Sequence, residues 1–358
     1  MFLCCSGVVP FYRTGPQKST GRDMATKHRN TKAQGKQLKT SVGNQQEASI
    51  SWKQCVHNHL LAHLYADVIP LVLNYAATIC FSFLRSIGKE GKGLEDGQFN
   101  SPSSICVDGE ELFVADTFNA RIQVFHQSSG RFLRKWDAID NTRPYGIAVD
   151  QHEIFVTNVH VTEIEIQVYN LLDCRLLRRW NQTDDGKLMS KPMNVFVRHD
   201  DVFASDPQDH RIVIFSREGK LKKSIGNFGK EHCQFNYPRK LLIHDEELYI
   251  GDVDNYRIQV LNPDSGQYLR HYDLRASADI GFICGFIVHG NNIIICDPVN
   301  RRLVSINLAN GHLEKVIRNF ESKRTTNFTF FHPCDLAINC QNELFLCDGL
   351  LHRVLVCQ

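Results

Sequence analysis

Apolar and polar residues alternate with a period of two over residues 97–125, which is the period of a pleated β-strand. Turn-forming residues interrupt the alternation at Asp108-Gly109 and again over Asp116–Asn119. The pattern therefore predicts three short strands, at Ser104–Asp108, Glu111–Asp116 and Arg121–Phe125.

The same three-strand pattern recurs along the chain. Aligned on the residue that ends the second strand, six copies follow one another at intervals of 42 to 51 residues, at Asp116, Asn158, Asp206, Asp252, Asp297 and Asp348. An arginine stands five positions later in every copy but the second, at Arg121, Arg211, Arg257, Arg302 and Arg353. In the second copy, two extra residues follow Asn158 and Glu165 takes the place of the arginine. Six repeats of this length predict a β-propeller with six blades.

The two ends of the repeat region predict how the ring closes. Short alternating stretches such as Phe132–Trp136 and Leu176–Trp180 complete each copy as a fourth, outer strand. The sixth copy ends with its third strand, 353–357, whereas residues 79–87 form an alternating stretch ahead of the first copy. We therefore expect residues 79–87 to supply the outer strand of the sixth blade, which would remove an exposed sheet edge.

The repeated segments VADTFNARIQVF (114–125) and IGDVDNYRIQVL (250–261) resemble NHL repeats. The resemblance covers residues 79–358 and implies an all-β, six-bladed NHL-type propeller. NHL propellers often form the substrate-recognition part of ubiquitin ligases, next to a RING, a B-box and a coiled coil. This chain lacks the Cys/His spacing of a RING or B-box, so the resemblance implies a non-catalytic protein-binding scaffold in a ubiquitin-ligase pathway. Two alternatives remain open: a propeller that binds single-stranded RNA, and a metal-dependent lyase or lactonase.

The first 78 residues differ from the repeats. Residues 1–50 are rich in Lys, Gln, Gly, Ser and Thr, a composition that predicts disorder. Residues 51–78 have apolar positions at helical spacing and are predicted to be helical, with a kink at Pro70. An apolar window over 66–84 raises the alternative of a membrane helix, but Asp67, Pro70 and Asn74 interrupt it. No membrane span is expected.

Charge and cysteine content narrow the functional classes. The formal net charge is +2, but residues 1–80 hold nine Lys or Arg and three Asp or Glu, which leaves −4 on the repeats. A mildly acidic propeller lacks the basic footprint of most nucleic-acid-binding domains. The thirteen cysteines form no CxxC pair and several replace apolar residues in strands, which predicts reduced core thiols and a cytoplasmic protein.

Residues that repeat are expected to be architectural. The recurring Asp can accept backbone N–H groups of the turn that follows it, and the Arg can pair with that Asp or with a neighbouring blade. Function should lie in positions that vary, on the face where the turn after the second strand and the loop into the first strand emerge together. Aromatic and basic residues at these positions predict a binding face, because such side chains are common interface anchors: Phe118, Asn119, Tyr145, Tyr237, Arg239, Lys240 and Tyr256.

The alternatives differ in the residues they require. RNA bases would stack on Tyr145, Tyr237 and Tyr256, with Arg239 and Lys240 at phosphates. Zinc catalysis would need about three converging histidines, but the histidines fall mostly in hairpin turns. No GxSxG, Walker or Rossmann motif is present. The sequence therefore predicts a monomeric binding propeller that is not an enzyme and holds no metal or cofactor.

Overall fold

The computed structural model describes residues 81–89, 91–159, 164–181, 189–320 and 328–358. The expected segments 1–50 and 51–78, and the start of the strand predicted at residue 79, lie outside these residues. In the described part, the chain forms six four-stranded antiparallel sheets, one small two-stranded sheet and short helical turns.

The first three blades follow the order of the chain. Blade 1 contains β2 (Ser104–Asp108), β3 (Glu111–Asp116), β4 (Arg121–His126) and β5 (Phe132–Asp137). Blade 2 contains β6 (Arg143–Asp150), β7 (Glu153–Val159), β8 (Ile164–Asn170) and β9 (Leu176–Trp180). Blade 3 contains β10 (Asn194–Arg198), β11 (Asp201–Asp206), β12 (Arg211–Ser216) and β13 (Leu221–Ile225). The three strands predicted from residues 97–125 are confirmed to within one residue.

The remaining blades include the closing strand. Blade 4 contains β14 (Pro238–His244), β15 (Glu247–Asp252), β16 (Arg257–Leu261) and β17 (Tyr268–Asp273). Blade 5 contains β18 (Phe286–His289), β19 (Asn292–Asp297), β20 (Arg302–Asn307) and β21 (Leu313–Ile317). Blade 6 contains β24 (Pro333–Ile338), β25 (Leu344–Asp348), β26 (Arg353–Cys357) and β1 (Phe83–Ile87). The two-stranded sheet is β22 (Asn319–Phe320) with β23 (Phe328–Thr329), and α1 spans Leu274–Ala278.

Helical turns of the 3-10 type occupy four connections, at Thr117–Asn119, Ile139–Asn141, Pro207–Asp209 and Val253–Asn255. Three of them directly follow the second strand of a blade, where the repeated Asp ends β3, β11 or β15. Each of these three ends in a residue with left-handed backbone angles. The recurring sequence pattern therefore produces a recurring turn geometry.

Burial explains why the middle strands read as apolar runs. Neighbouring blades pack face to face, so both faces of a middle strand such as β3 are covered, and five of its six residues are buried. The outer strand β5 keeps one face in solvent and alternates between half-buried and exposed residues. Between blades 1 and 2, for example, Ile122 and Phe113 pack with Ile147 and Ile154. The core is thus a series of apolar layers between blades.

The two ends of the repeat region meet in blade 6. Strand β1 pairs antiparallel with β26, with Ser86 opposite Leu355. Beyond the strands, Ser82 and Gln358 exchange two backbone hydrogen bonds, of 2.8 and 3.1 Å. The prediction that the segment ahead of the first copy closes the ring is confirmed, with β1 beginning at Phe83 in the described residues.

Cysteine side chains behave as core residues in the part of the chain that is described. Nine cysteines lie in this part, and five of them are buried: Cys284, Cys296, Cys334, Cys347 and Cys357. Burial raises the pKa of the Cys106 thiol to about 11, so this side chain stays protonated at neutral pH. Among the described residues, no helix is both long enough and apolar enough to cross a membrane.

Candidate functional site

The repeated Asp and Arg form buried ion pairs. The Arg Nε atom lies 2.8 Å from the Asp Oδ2 atom in the pairs Asp116–Arg121, Asp252–Arg257 and Asp297–Arg302, and 3.3 Å away in Asp206–Arg211. Each of these Asp side chains is fully buried. Burial raises the pKa of Asp116 and Asp206, while hydrogen bonds to each carboxylate oppose that shift.

The backbone partners of the pair differ from the expectation. The second oxygen of Asp116 accepts the N–H of Asn100 at 2.7 Å, and Asp252 accepts that of Asn236 at 2.7 Å. Both amides belong to the loop that leads into the first strand of the same blade, which we call the inbound loop, and not to the turn that follows the Asp. Only in the fifth copy does the following turn supply the amide, from Asn300 at 3.4 Å.

The arginine completes this link. Beyond its contact with Asp116, Arg121 donates to the backbone carbonyls of Leu94, Glu95 and Gln98 in the inbound loop. In the sixth copy, Asp348 accepts the N–H groups of Phe331 and His332, and Arg353 donates to the Thr329 carbonyl at 2.9 Å. The pair therefore ties the inbound loop to the turn after the second strand, and it fixes both on one face of the ring.

We call this surface the turn face: the inbound loops together with the turns between the second and third strands. Asn119 belongs to its framework, since its amide nitrogen donates to Asp116 Oδ2 and to the Gly93 carbonyl, each at 2.8 Å. Phe118 is 37% exposed, and the Arg143 guanidinium lies 4.9 Å from its ring centroid. Of the predicted binding residues, these two therefore lie on the turn face.

Three other predicted residues point into the central channel. Tyr145, Arg239 and Lys240 line a cavity of about 20 Å³, with room for little more than one water molecule. Tyr145 is 6% and Arg239 9% exposed, and the Lys240 ammonium lies 2.7 Å from Asp335 Oδ1. Asp335 also accepts the Ser104 hydroxyl at 2.6 Å. Polar groups that pair with one another thus line this cavity, and a partner contact at these three residues stays a prediction.

A set of residues at the blade boundaries was missed by the sequence analysis. The fourth residue after the repeated Asp has a left-handed backbone, with φ between 51° and 54°, in five copies: Ala120, His210, Tyr256, Arg301 and His352. We call these the seam residues. All but Ala120 contact the next inbound segment. The His210 ring packs edge-on against Phe228, and the Arg275 guanidinium lies 4.0 Å from the Tyr256 ring centroid. Arg301 lies 3.9 Å over the Phe331 ring, and His352 accepts the Ser101 N–H.

Tyr237 and Tyr256, the last two predicted residues, both belong to these boundaries. Tyr237 donates its backbone N–H to the Nδ1 atom of His210 at 3.2 Å. Tyr256 is itself a seam residue and is half-buried. Each seam residue stands four positions after the repeated Asp, and this spacing could have revealed the seam residues in the sequence. Their residue types vary too much for the pattern to be recognised.

Apolar side chains are exposed on the turn face. Leu94 is 74%, Phe228 64% and Val299 61% exposed, values that are unusual for large apolar residues. The other exposed apolar side chains of this face are Phe118, Phe331, Leu350 and Leu351. Exposed apolar groups of this kind, set among polar residues, are typical of interaction surfaces.

A cavity of about 300 Å³ lies on the turn face at blade 4. We call it the rim cleft, and it is lined by Lys230, Asp254, Asn255, Tyr256, Arg257, His271, Asp273 and Arg275. Burial and repulsion from Asp252 raise the pKa of Asp254. Burial, together with Arg257, lowers the pKa of His271. Polar groups with perturbed pKa values in a cavity are a common feature of binding sites.

A second repeated ion pair lies on the opposite, hairpin face, which is built by the turns between first and second and between third and fourth strands. A glutamate that begins the second strand binds an arginine of the outer strand in the pairs Glu111–Arg134, Glu153–Arg178, Glu247–Arg270 and Glu343–Arg85. The last pair joins strands 258 residues apart. Arg85 therefore occupies the same repeat position in the closing strand as Arg134 does in blade 1.

Among the residues that the structure describes, no group of three or more His, Cys, Asp or Glu side chains is arranged to hold a metal ion. The histidines at the hairpin face, such as His152, His199 and His244, lie in separate turns.

Six four-stranded sheets, four of them fastened by the same Asp–Arg ion pair, define a β-propeller of the type that binds proteins or RNA. The family model of the NHL repeat matches residues 99–125, and the other copies share its three-strand pattern. Residues 99–125 are therefore similar to an NHL repeat, and the fold is a six-bladed propeller. Part of it is similar to the protein named Protein brain tumor of Drosophila melanogaster, with 29% identity over 87 residues. That match covers 23% of this chain and 8% of the Drosophila protein, so the chain spans under a tenth of its length.

Proposed function

We propose that the turn face binds a protein partner and that the propeller acts as a non-catalytic scaffold. The observation that carries this proposal is the exposure of Leu94, Phe228 and Val299, each more than 60% accessible, on one face of the ring. Burying such side chains against a partner stabilises a complex by about 25 cal/mol for each Å² of apolar surface removed from water. A single exposed leucine, such as Leu172 on the hairpin face, needs no explanation, whereas several large apolar side chains on one face are typical of an interaction surface.

Three arginines of the turn face lie over aromatic rings. Arg143, Arg275 and Arg301 have these contacts and form no ion pair with the described residues. Other cations are paired with carboxylates of the inbound loops, as Lys135 is with Asp96 and Arg179 with Asp140. The turn face thus combines rings, apolar side chains and arginines, a composition typical of interface centres.

Single-stranded RNA is the second candidate, and the same ring–arginine pairs favour it, because bases stack on aromatic and guanidinium planes. Leu94 and Val299 are exposed on the same face, and their side chains cannot bind phosphates. We therefore place a protein ahead of RNA as the partner.

The test is affinity capture from lysate with the full chain and with a variant carrying Leu94→Ser, Phe228→Ser and Val299→Ser. Leu172→Ser is the matched control, because Leu172 is 82% exposed but lies on the hairpin face between β8 and β9. We expect partners that survive nuclease treatment, remain with the control and disappear with the triple variant. Partners that disappear on nuclease treatment would instead make RNA the ligand, and retention by the triple variant would contradict a role for this face.

We further propose that the scaffold presents its partner to a ubiquitin ligase, as the resemblance to ligase-associated NHL propellers implies. A ligase subunit should then co-purify with the chain, and ubiquitination of the captured partner should fall in cells that carry the triple variant. Unchanged ubiquitination of that partner would remove the ligase role and leave the binding role in place.

A further inference from the structure

The rim cleft has a defined position on blade 4. One wall is the turn that ends at Tyr256, a second is the segment from His271 to Arg275, and Lys230 of the inbound loop lies at its edge. Its volume of about 300 Å³ is at the lower end of the range for ligand pockets and suits one or two side chains rather than a large ligand.

Two cations of the rim cleft have no carboxylate partner. Lys230 and Arg275 form no ion pair with the described residues, and the Arg275 guanidinium rests 4.0 Å from the Tyr256 ring centroid. By contrast, Arg257 at the base of the cleft is held by Asp252 at 2.8 Å and donates to backbone carbonyls. The cleft therefore presents two cations that are available to an incoming anion.

The cleft also holds two carboxylates, Asp254 and Asp273, whose formal charges equal those of Lys230 and Arg275. Asp273 accepts the N–H groups of Arg275 and Ala276 at the start of α1, at 3.0 Å each. Asp254 is the carboxylate that would repel an incoming anion. Because neither carboxylate forms an ion pair with Lys230 or Arg275 among the described residues, both cations can contact an anionic group of a partner.

The cleft is built before any ligand arrives. Asn255 donates its side-chain amide to Asp252 and to the Gly229 carbonyl, and Tyr256 is held by backbone bonds to Val253 and Leu274 of 3.0 and 2.9 Å. The φ angle of Tyr256 is 54°, a conformation that these contacts maintain. A preorganised cleft loses little conformational entropy when it binds.

We propose that the rim cleft receives an aspartate or glutamate side chain of the protein partner, with Lys230 and Arg275 binding its carboxylate and the Tyr256 ring contacting its methylene groups. The inference rests on the proposed protein-binding function and names the chemistry of one contact. A planar guanidinium and a lysine together bind a carboxylate well. A polyanionic RNA would instead need a continuous basic track, whereas this site offers a single pair of cations.

The test uses a library of random twelve-residue peptides displayed on phage and selected on the immobilised full chain. We expect selected peptides to share one Asp or Glu flanked by apolar residues. For a selected peptide, Lys230→Met with Arg275→Met should weaken binding about tenfold, and Asp254→Asn should strengthen it about two- to threefold by removing a repulsive charge. Replacing the acidic residue of the peptide by its amide should remove both effects.

The matched control is Arg175→Met with Lys220→Met, which removes the same charge from two exposed cations on the hairpin face. It should leave peptide affinity within about twofold. Equal peptide affinity for the wild type and the Lys230/Arg275 variant would overturn the inference, as would selection of apolar peptides with no acidic position. In both cases the binding function of the turn face would stand. Failure to select any peptide, together with retention of partners by the triple apolar variant, would overturn both proposals.

RNA provides the remaining outcome. If an oligouridylate probe bound the full chain and lost about tenfold in affinity in the Lys230/Arg275 variant, the cleft would be a phosphate site and the inference would be wrong. The salt dependence supports this distinction, since binding to many phosphates weakens far more steeply with added salt than binding to a single carboxylate.

Discussion

Blades 4 and 2 differ in which strands carry the buried acid and the cation that pairs with it. In blade 4, the fully buried Asp252 binds Arg257, and this arginine donates to carbonyls of the inbound loop. In blade 2, the equivalent positions are Asn158 and Glu165, which lie opposite each other in the β7–β8 register. Glu165 is 6% exposed, and its carboxylate lies 3.6 Å from Arg179 of the outer strand. The buried acid has moved to the third strand and its cation to the fourth.

The inbound loops explain why blade 2 can fold without the repeated Asp–Arg pair. The loop into blade 4, residues 226–237, is long, and its Lys230, Glu231 and Gln234 carbonyls all accept from Arg257. The loop into blade 2 is a single helical turn at Ile139–Asn141, whose own backbone satisfies Thr142. An unpaired buried carbonyl costs free energy, so a long loop needs the arginine and a short one does not. The arginine is thus a requirement of the loop rather than of the blade.

Loss of the arginine in blade 4 should have the largest effect. Arg257→Ala would leave Asp252 buried without its cation and three carbonyls without their donor, and we expect a loss of about 3–5 kcal/mol in the free energy of unfolding. Urea denaturation followed by tryptophan fluorescence measures it. A loss below about 1 kcal/mol would show that water replaces the guanidinium and that the loop does not depend on it.

Introducing the repeated Asp and Arg into blade 2 should have an intermediate effect on the free energy of unfolding. Glu165→Arg alone brings a second cation towards Arg179, and we expect it to destabilise the protein by about 2 kcal/mol. Adding Asn158→Asp should recover part of this loss, with a coupling free energy of about 1–2 kcal/mol in a double-mutant cycle. Additive effects of the two substitutions would mean that the Asp–Arg pair cannot form without a long inbound loop.

The smallest expected effect is the loss of unfolding free energy at low pH that comes from the second repeated ion pair, between Glu and Arg. Hydrogen bonds from Arg270 hold the pKa of Glu247 below its ordinary value of 4.5, and Arg178 does the same for Glu153 in blade 2. A lowered pKa contributes stability that is complete above pH 4.5 and is lost as the pH falls through the folded-state value. Because both pairs are partly exposed, we expect at most about 1 kcal/mol from each.

The corresponding measurement compares unfolding free energies of the wild type and Glu247→Gln between pH 6 and pH 3. The variant should lose less stability than the wild type over this range, because it has no charge to lose. Parallel pH profiles would show that the Arg270 pair contributes nothing to folding.

The sequence was sufficient for the parts of the fold that repeat. Alternation within strands, the spacing of the repeated Asp and the stretch ahead of the first copy together predicted six blades and their closure. These features are local or strictly periodic, so one chain contains several copies of the same signal. The β1–β26 pairing was predictable because the sixth copy has no outer strand of its own, whereas an additional strand precedes the first copy.

Side-chain direction was harder to predict, as Tyr145 and Arg239 show. The register shifts between Pro144 and Gly146 and again between Pro238 and Leu241, so each first strand begins with a bulge. A bulge changes the direction in which the neighbouring side chains point, and here it accompanies their placement in the channel. Gly146 fits this geometry, since a Cβ atom there would lie 2.7 Å from the Asn194 Cα atom.

The rim cleft was beyond prediction for a different reason. Its walls come from Lys230, Tyr256 and Arg275, which are brought together by the length of an inbound loop and by the left-handed turn at Tyr256. Neither feature has a sequence period. The sequence identified Tyr256 as a candidate, but not its partners.

The closure of blade 6 has a consequence for synthesis of the protein. Ile87 of β1 is made 266 residues before Arg353, the first residue of the strand with which β1 pairs. At about 5–20 residues per second, β1 waits roughly 13–53 s on the ribosome before its partner exists. Throughout this interval its edge and the apolar side chains of Phe83 and Ile87 lack their final cover. The nascent chain therefore depends on whatever shields that strand during translation, and the ring can be completed only after the sixth blade has been made.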